Sequence, residues 1–132
     1  MLQKLITKQL PSIYLENYKK ENSRSLKIYP TNPKVILTGI EFFYNEAFKF
    51  WAAHYVDRGT KLLGYQNGGH YGTGLWSAID VHLFKIYDKF YSWGWNTNKT
   101  NNVKSMPGIH LCNISINIKP KKNGKILLVQ DT

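Results

Sequence analysis

Residues 34–65 read KVILTGIEFFYNEAFKFWAAHYVDRGTKLLGY. Lys34 to Thr38 is a short apolar, β-branched run bounded by turn signals, the mark of a buried strand. Tyr44, Ala47, Phe48, Trp51, Ala52 and Tyr55 recur at the i, i+3, i+4, i+7 spacing of one helical face and predict a helix over 43–58. Lys61 to Tyr65 is a second short strand. Strand, helix and strand within about 30 residues make a βαβ unit, which implies parallel pairing and a right-handed crossover. The fold class expected is α/β, built on a partial Rossmann-like parallel sheet.

Upstream, Leu2, Leu5, Ile6 and Leu10 share a helical spacing, Pro11 interrupts it, and Ile13 to Tyr18 resume it. Residues 1–29 are therefore expected to be mostly helical, with Pro30 to Pro33 a loop. Downstream, a helix is expected over Ile79–Ile86 and a strand over Lys89–Trp95. Asn96–Pro107 is polar and aperiodic and reads as a loop. Ile109–Ile118 alternates in part, and Lys125–Gln130 is apolar. Both read as strands. The last run stops two residues before Thr132, where a crossover helix is expected, so the sequence reads as cut off, or else the last strand pairs in an unusual way.

Directly after the second strand comes Gln66-Asn67-Gly68-Gly69-His70-Tyr71-Gly72-Thr73-Gly74. Open α/β sheets bind ligands beyond the carboxyl ends of their strands, which is where this loop falls. Its glycines allow close backbone approach to a ligand. Gln66, Asn67, His70, Tyr71 and Thr73 add side-chain hydrogen-bonding groups. No Gly-Lys-Ser/Thr follows, so this is not a Walker A loop, and Ser77 stands where the dinucleotide fingerprint needs its third glycine. The plainer alternative is a glycine-rich connector. His70 is a candidate general base, since imidazole accepts protons near neutral pH. His82, two residues after Asp80, is placed to orient it or be oriented by it. Trp93 and Trp95, after Phe90 and Tyr91, offer flat aromatic faces for a sugar or base, or else core packing.

Basic residues number 18 against 8 acidic ones, for a net charge of +10. The excess lies at the two ends, and residues 41–95 balance at five against five. Only Arg24 and Arg58 are arginine, so the guanidinium fork used in specific phosphate and base readout is scarce and no specific nucleic acid is expected. The basic ends still attract polyanions without specificity, whether nucleic acid, an anionic membrane face or phosphorylated substrates, and the plainer alternative is a set of solvated lysines. No secretory signal is visible, and Cys112 is the single cysteine, which suits a reducing, cytoplasmic setting. The four histidines lack zinc-type spacing, so neither a metal nor a cofactor is expected.

Gly64 to Gly72, Ile79-Asp80-Val81-His82, and Asp88 to Trp95 in this order resemble bacterial surface-carbohydrate biosynthesis transferases of O-antigen or capsule type. Asn45 to Ala52 and Asn123 to Leu128 fit the same order. The resemblance implies a GT-B-like enzyme with two Rossmann-like domains facing a cleft. Residues 1–107 would be the C-terminal part of the first domain, and 108–132 the linker and opening strand of a truncated second. It implies an activated sugar donor and a glycan or lipid-linked acceptor, with the protein at the inner face of the membrane. In such enzymes, and in similar polyol-phosphate polymerising transferases, a Gln-His-Gly-type loop borders the cleft. Here that histidine position is Asn67, and a histidine stands at His70 instead. The site implied has His70 and Asn67 as catalytic groups. Gln66, Gly68, Gly69, Tyr71, Gly72, Thr73, His82, Trp93 and Trp95 would contact substrate. On this reading the chain alone is inactive. A non-catalytic carbohydrate- or nucleotide-binding module is the alternative, and a basic nucleic-acid-binding protein a weaker one.

Overall fold

The computed structural model describes residue 6 and residues 8–108 and 122–124. The chain makes a 3₁₀ turn at Ser12–Tyr14, then α1 (Tyr18–Ile28), β1 (Val35–Thr38), α2 (Glu41–Tyr44), α3 (Glu46–Val56) and β2 (Lys61–Tyr65). After β2 come α4 (Ala78–Ile86), β3 (Lys89–Trp93) and β4 (Val103–Met106). The four strands form one sheet in the order β1-β2-β3-β4, and every pair is parallel. This is the α/β, Rossmann-like parallel architecture read from residues 34–65.

Strand register explains which residues the core takes. Ile36 sits beside Leu62, Thr38 beside Gly64, Gly64 beside Phe90, and Phe90 beside Val103. These positions are buried together with Phe48, Trp51, Ala52 and Tyr55 of α3 and with Leu83 and Tyr87. The alternate positions point the other way. Val35, Leu37 and Trp93 are exposed, with Leu37 at 56%. The period of two thus separates a packed face from an open one. Of the described glycines, Gly64 has the least room: a Cβ there would stand 2.5 Å from the Tyr87 ring.

Asn45 divides the helix expected over 43–58. Its backbone is extended (φ −114°, ψ 94°) and its Oδ1 accepts from Phe48 N at 3.0 Å, so it caps α3 instead of continuing α2. Tyr44 falls outside the buried stripe and is 86% exposed. Among the described residues of 1–29, residues 6, 8 and 9 are helical and a further α-helix runs over Tyr18–Ile28. That helix packs on α3 through Tyr18 against Phe50 and Tyr29 against Trp51, and Trp51 Nε1 donates to Pro30 O at 2.9 Å.

Residues 96–107 are not all loop, because they include β4. Only Val103 of this strand is buried, so it lacks the apolar signal of an interior strand. Asparagines hold it: Asn102 Nδ2 donates to Phe84 O and Tyr87 O, and Asn96 Oδ1 accepts from Ser105 N. The strand expected over 89–95 ends at Trp93, and Gly94 follows with φ +80°. The strands expected over 109–118 and 125–130, with Cys112 and His110, lie outside the described residues.

Candidate functional site at the carboxyl edge of the sheet

β2 and β3 both end at the rim where the glycine-rich loop begins. Gln66 N donates to Tyr91 O at 2.8 Å and extends the β2–β3 ladder by one bond. The Gln66 side chain is buried and ties the rim together. Its Oε1 accepts from Trp93 N and from Trp95 Nε1, both at 2.8 Å, and its Nε2 donates to Gly68 O at 2.6 Å. Its amide is therefore engaged in holding the loop and the Trp-Gly-Trp turn at a fixed separation. Trp95 lies against Gly72, where φ is +74° and a Cβ would stand 3.1 Å from the indole. Glycine serves both needs at that position.

A second tie comes from α4. Ser77 caps this helix by accepting from Asp80 N at 3.2 Å, and Asp80 lies in the first turn. The Asp80 carboxylate reaches across to the loop, where Oδ2 accepts from Gly72 N at 3.0 Å. Asp80 is only 7% exposed, and its Oδ1 is buried with no hydrogen-bond partner. Two buried phenols flank this region. Tyr71 Oη donates to Asn67 Oδ1 at 2.6 Å. Burial, and then the Asp80 charge, push the Tyr71 phenol above its usual range. Tyr87, over Gly64, is raised by burial and then by Tyr71, and its Oη has no partner. Both phenols stay protonated at neutral pH and can only be lost as donors in strong base.

Within this frame the exposed groups are Asn67, Gly69, His70, Gly72 and Thr73. His70 stacks on Tyr71 with ring centroids 4.2 Å apart, and its backbone O accepts from Thr73 Oγ1 at 2.7 Å. The structure brings Gln66, Asn67, Gly68, His70, Tyr71, Gly72, Thr73, Trp93 and Trp95 to one rim. His82 does not join them. It lies on the other flank of α4, 6.3 Å from the Phe42 ring, and Asp80 does not orient it.

Two concavities border α4. Toward α3 runs an apolar groove of about 770 Å³, lined by Phe42, Phe48, Val56, Ile79, His82 and Ile86 among others. On the opposite flank, toward residues 95–100, is a smaller cleft of about 470 Å³, whose walls include Gly72, Trp76, Asp80, Lys85, Trp95 and Lys99. The larger groove has more room but few polar groups, and the polar side chains gather at the rim and the smaller cleft. Asp80, Trp76, Lys85 and Lys99, which line this cleft, were not among the site residues expected from sequence. Ser77-x-x-Asp80 signals the helix start, but nothing in the sequence points its carboxylate at Gly72.

No helix among the described residues is long and apolar enough to cross a membrane. Searches of curated proteins and of solved structures found no match. A family model described as LIC12162 family transferase matches residues 1–132. With that model spanning the parallel sheet and the whole of its loop-bearing rim, the chain belongs to the LIC12162 family of transferases.

Proposed function

We propose that the protein is a glycosyltransferase-like member of this family, working in bacterial surface polysaccharide synthesis of the capsule or O-antigen type. The 66–74 loop forms the acceptor side of its active cleft. One observation carries the reading. At the carboxyl edge of a parallel sheet, Gln66 and Asp80 pin the loop backbone from inside while His70 stays exposed. A rim held in this way presents a base without reorganising around it.

In this reaction a hydroxyl oxygen of a glycan or lipid-linked acceptor attacks the anomeric carbon of an activated sugar. The bond from that carbon to the phosphate oxygen breaks, and its electron pair leaves with the nucleoside diphosphate. The hydroxyl proton passes to the His70 imidazole. Loop amides face the negative charge that develops on the leaving group. A second Rossmann-like lobe opposite this rim, as the resemblance implies, supplies the remaining donor contacts. The lysines outside residues 41–95 hold the enzyme against an anionic membrane face.

Transfer of labelled sugar from a panel of nucleotide sugars, assayed with the full-length protein, tests the proposal. His70→Ala should lower kcat by about 100-fold or more with the fold retained. Undiminished turnover in that variant contradicts the role given to His70. Asn67 favours a second reading, a binding module without catalysis, because its Oδ1 is already occupied by Tyr71 Oη and an amide takes no proton. Wild-type protein that binds nucleotide sugar without turning it over, and gains turnover in Asn67→His, is the result that reading requires.

A further inference from the structure

The smaller cleft beside α4 combines three features that point to one kind of ligand. The first is Asp80. It is more than nine-tenths buried, its Oδ2 is used by Gly72 N, and its Oδ1 has no partner. A carboxylate oxygen accepts and never donates, so what it lacks is a donor such as a hydroxyl. Leaving it without one is costly, and filling it with a charge-assisted hydrogen bond is favourable.

The second feature is aromatic surface. Trp95 and Phe84 line the wall. Trp76 at 78% exposure and Leu75 at 100% stand at the same cleft. Flat aromatic faces suit the apolar face of a ring.

The third is charge. The ion pairs among the described residues are Arg24–Glu21, Lys49–Glu46 and Lys61–Asp88, so Lys85 and Lys99 have no acidic partner there. Lys99 Nζ lies 3.5 Å from Leu75 O, across the strap from the helix. Asp80 is the one acid among the lining residues, against two lysines. The charge left over favours an anion. A volume of about 470 Å³ suits one small molecule and is too small for a polynucleotide strand.

We propose that this cleft binds a sugar ring carrying a phosphoester: the Asp80 carboxylate, which lines the cleft but keeps Oδ1 shut off from solvent, turns to accept from ring hydroxyls, Trp95 and Trp76 cover a ring face, and Lys85 and Lys99 neutralise the phosphoryl oxygens. The inference deepens the transfer reading by placing the sugar-phosphate portion of a substrate, and it rests on that reading for the class of molecule. It adds four side chains outside the 66–74 loop and separates ring recognition, on the α4 flank, from proton transfer at His70.

Calorimetric titration of the purified protein tests it, with glucose 1-phosphate, glucose, inorganic phosphate and UDP-glucose as probes. Glucose 1-phosphate should bind, and both parent fragments should bind at least about tenfold more weakly. Asp80→Asn should weaken glucose 1-phosphate by about tenfold or more. The doubly substituted K85A/K99A protein, which alters only exposed side chains, should do the same and lose the salt dependence of binding. UDP-glucose binding with the same dependence on these residues supports the site and names an activated donor as its source. UDP-glucose binding that ignores all three substitutions, while glucose 1-phosphate obeys them, supports the site and names a phosphosugar acceptor. Inorganic phosphate binding as tightly as glucose 1-phosphate overturns the proposal, and so does binding unchanged in K85A/K99A. Loss of the glucose 1-phosphate isotherm while His70→Ala still abolishes transfer removes this cleft and leaves the transfer reading. An intact isotherm without any transfer does the reverse.

Discussion

The two flanks of α4 are built from one nine-residue helix, AIDVHLFKI, yet they face different worlds. On the α3 side, Ile79, His82 and Ile86 border a groove whose walls are nearly all apolar. On the other side, Asp80, Val81, Phe84 and Lys85 border a cleft walled by a buried carboxylate, indole faces and two lysines that take no part in the ion pairs among the described residues. The helix is hydrophobic enough that its own pattern does not tell these flanks apart. What distinguishes them is what lies opposite: packed phenylalanines on one side, a glycine strap and a polar 95–100 segment on the other. The connections after β2 and β3 carry the polar groups of this sheet edge, while the connection after β1 is taken up by α2 and α3.

A substitution in the shared core should have the largest effect. Gly64→Ala pushes a methyl into the Tyr87 ring, which belongs to the core and lines the apolar groove. Because Tyr87 is buried and cannot swing out, the cost should be about 3 kcal/mol in urea unfolding. A loss under about 1 kcal/mol would show that the ring can give way. Gln66→Ala should come next and act on one flank. It leaves Trp93 N and Trp95 Nε1 without their shared acceptor, for about 2 kcal/mol. The Trp95 indole N–H should exchange faster with solvent, while signals from Phe42, Val56 and Ile86 stay in place. Movement of both sets would mean that the flanks are not independent.

Tyr87→Phe should have a small effect of the opposite sign. It removes a buried hydroxyl that has no partner, so the protein should gain up to about 1 kcal/mol. A loss of that size would reveal a partner for Oη. The smallest expected effect is on pH dependence. Hydrogen bonds from Lys61 Nζ and Leu62 N hold the Asp88 carboxyl below its ordinary range. Lys49 and Tyr14 do the same for Glu46, while Tyr14 is itself pushed up to about 12. A carboxyl lowered on folding contributes above its unfolded pKa and loses that contribution as pH falls through its folded value. Stability should therefore be flat near neutrality and decline below about pH 4. Asp88→Asn should soften the decline, and an unchanged acid limb would place the linkage elsewhere.

Much of this architecture was legible because periodicity and burial agree. Ile36, Leu62, Phe48, Trp51 and Tyr55 are core positions in the sequence pattern and in the fold. Asn45 was not legible as a break, because the apolar spacing runs past it while its side chain quietly caps α3. β4 was hidden because a strand with only Val103 buried, held by Asn96 and Asn102, carries almost no apolar signal. At the site, the rim itself was visible from its glycines and tryptophans. The pairing of Asp80 with His82 was not correct, since residues two apart on a helix point to opposite sides. Asp80 instead finds Gly72, eight residues back, and only the folded loop brings them together.

Amide chemical-shift mapping tests the contrast between the flanks most directly. Isotopically labelled protein titrated with glucose 1-phosphate should shift signals of Gly72 to Ser77, Asp80, Lys85 and the 95–100 segment, leaving Phe42, Val56 and Ile86 where they were. Shifts concentrated along Phe42, Ile79, His82 and Ile86, with the 72–80 signals unmoved, would contradict the account.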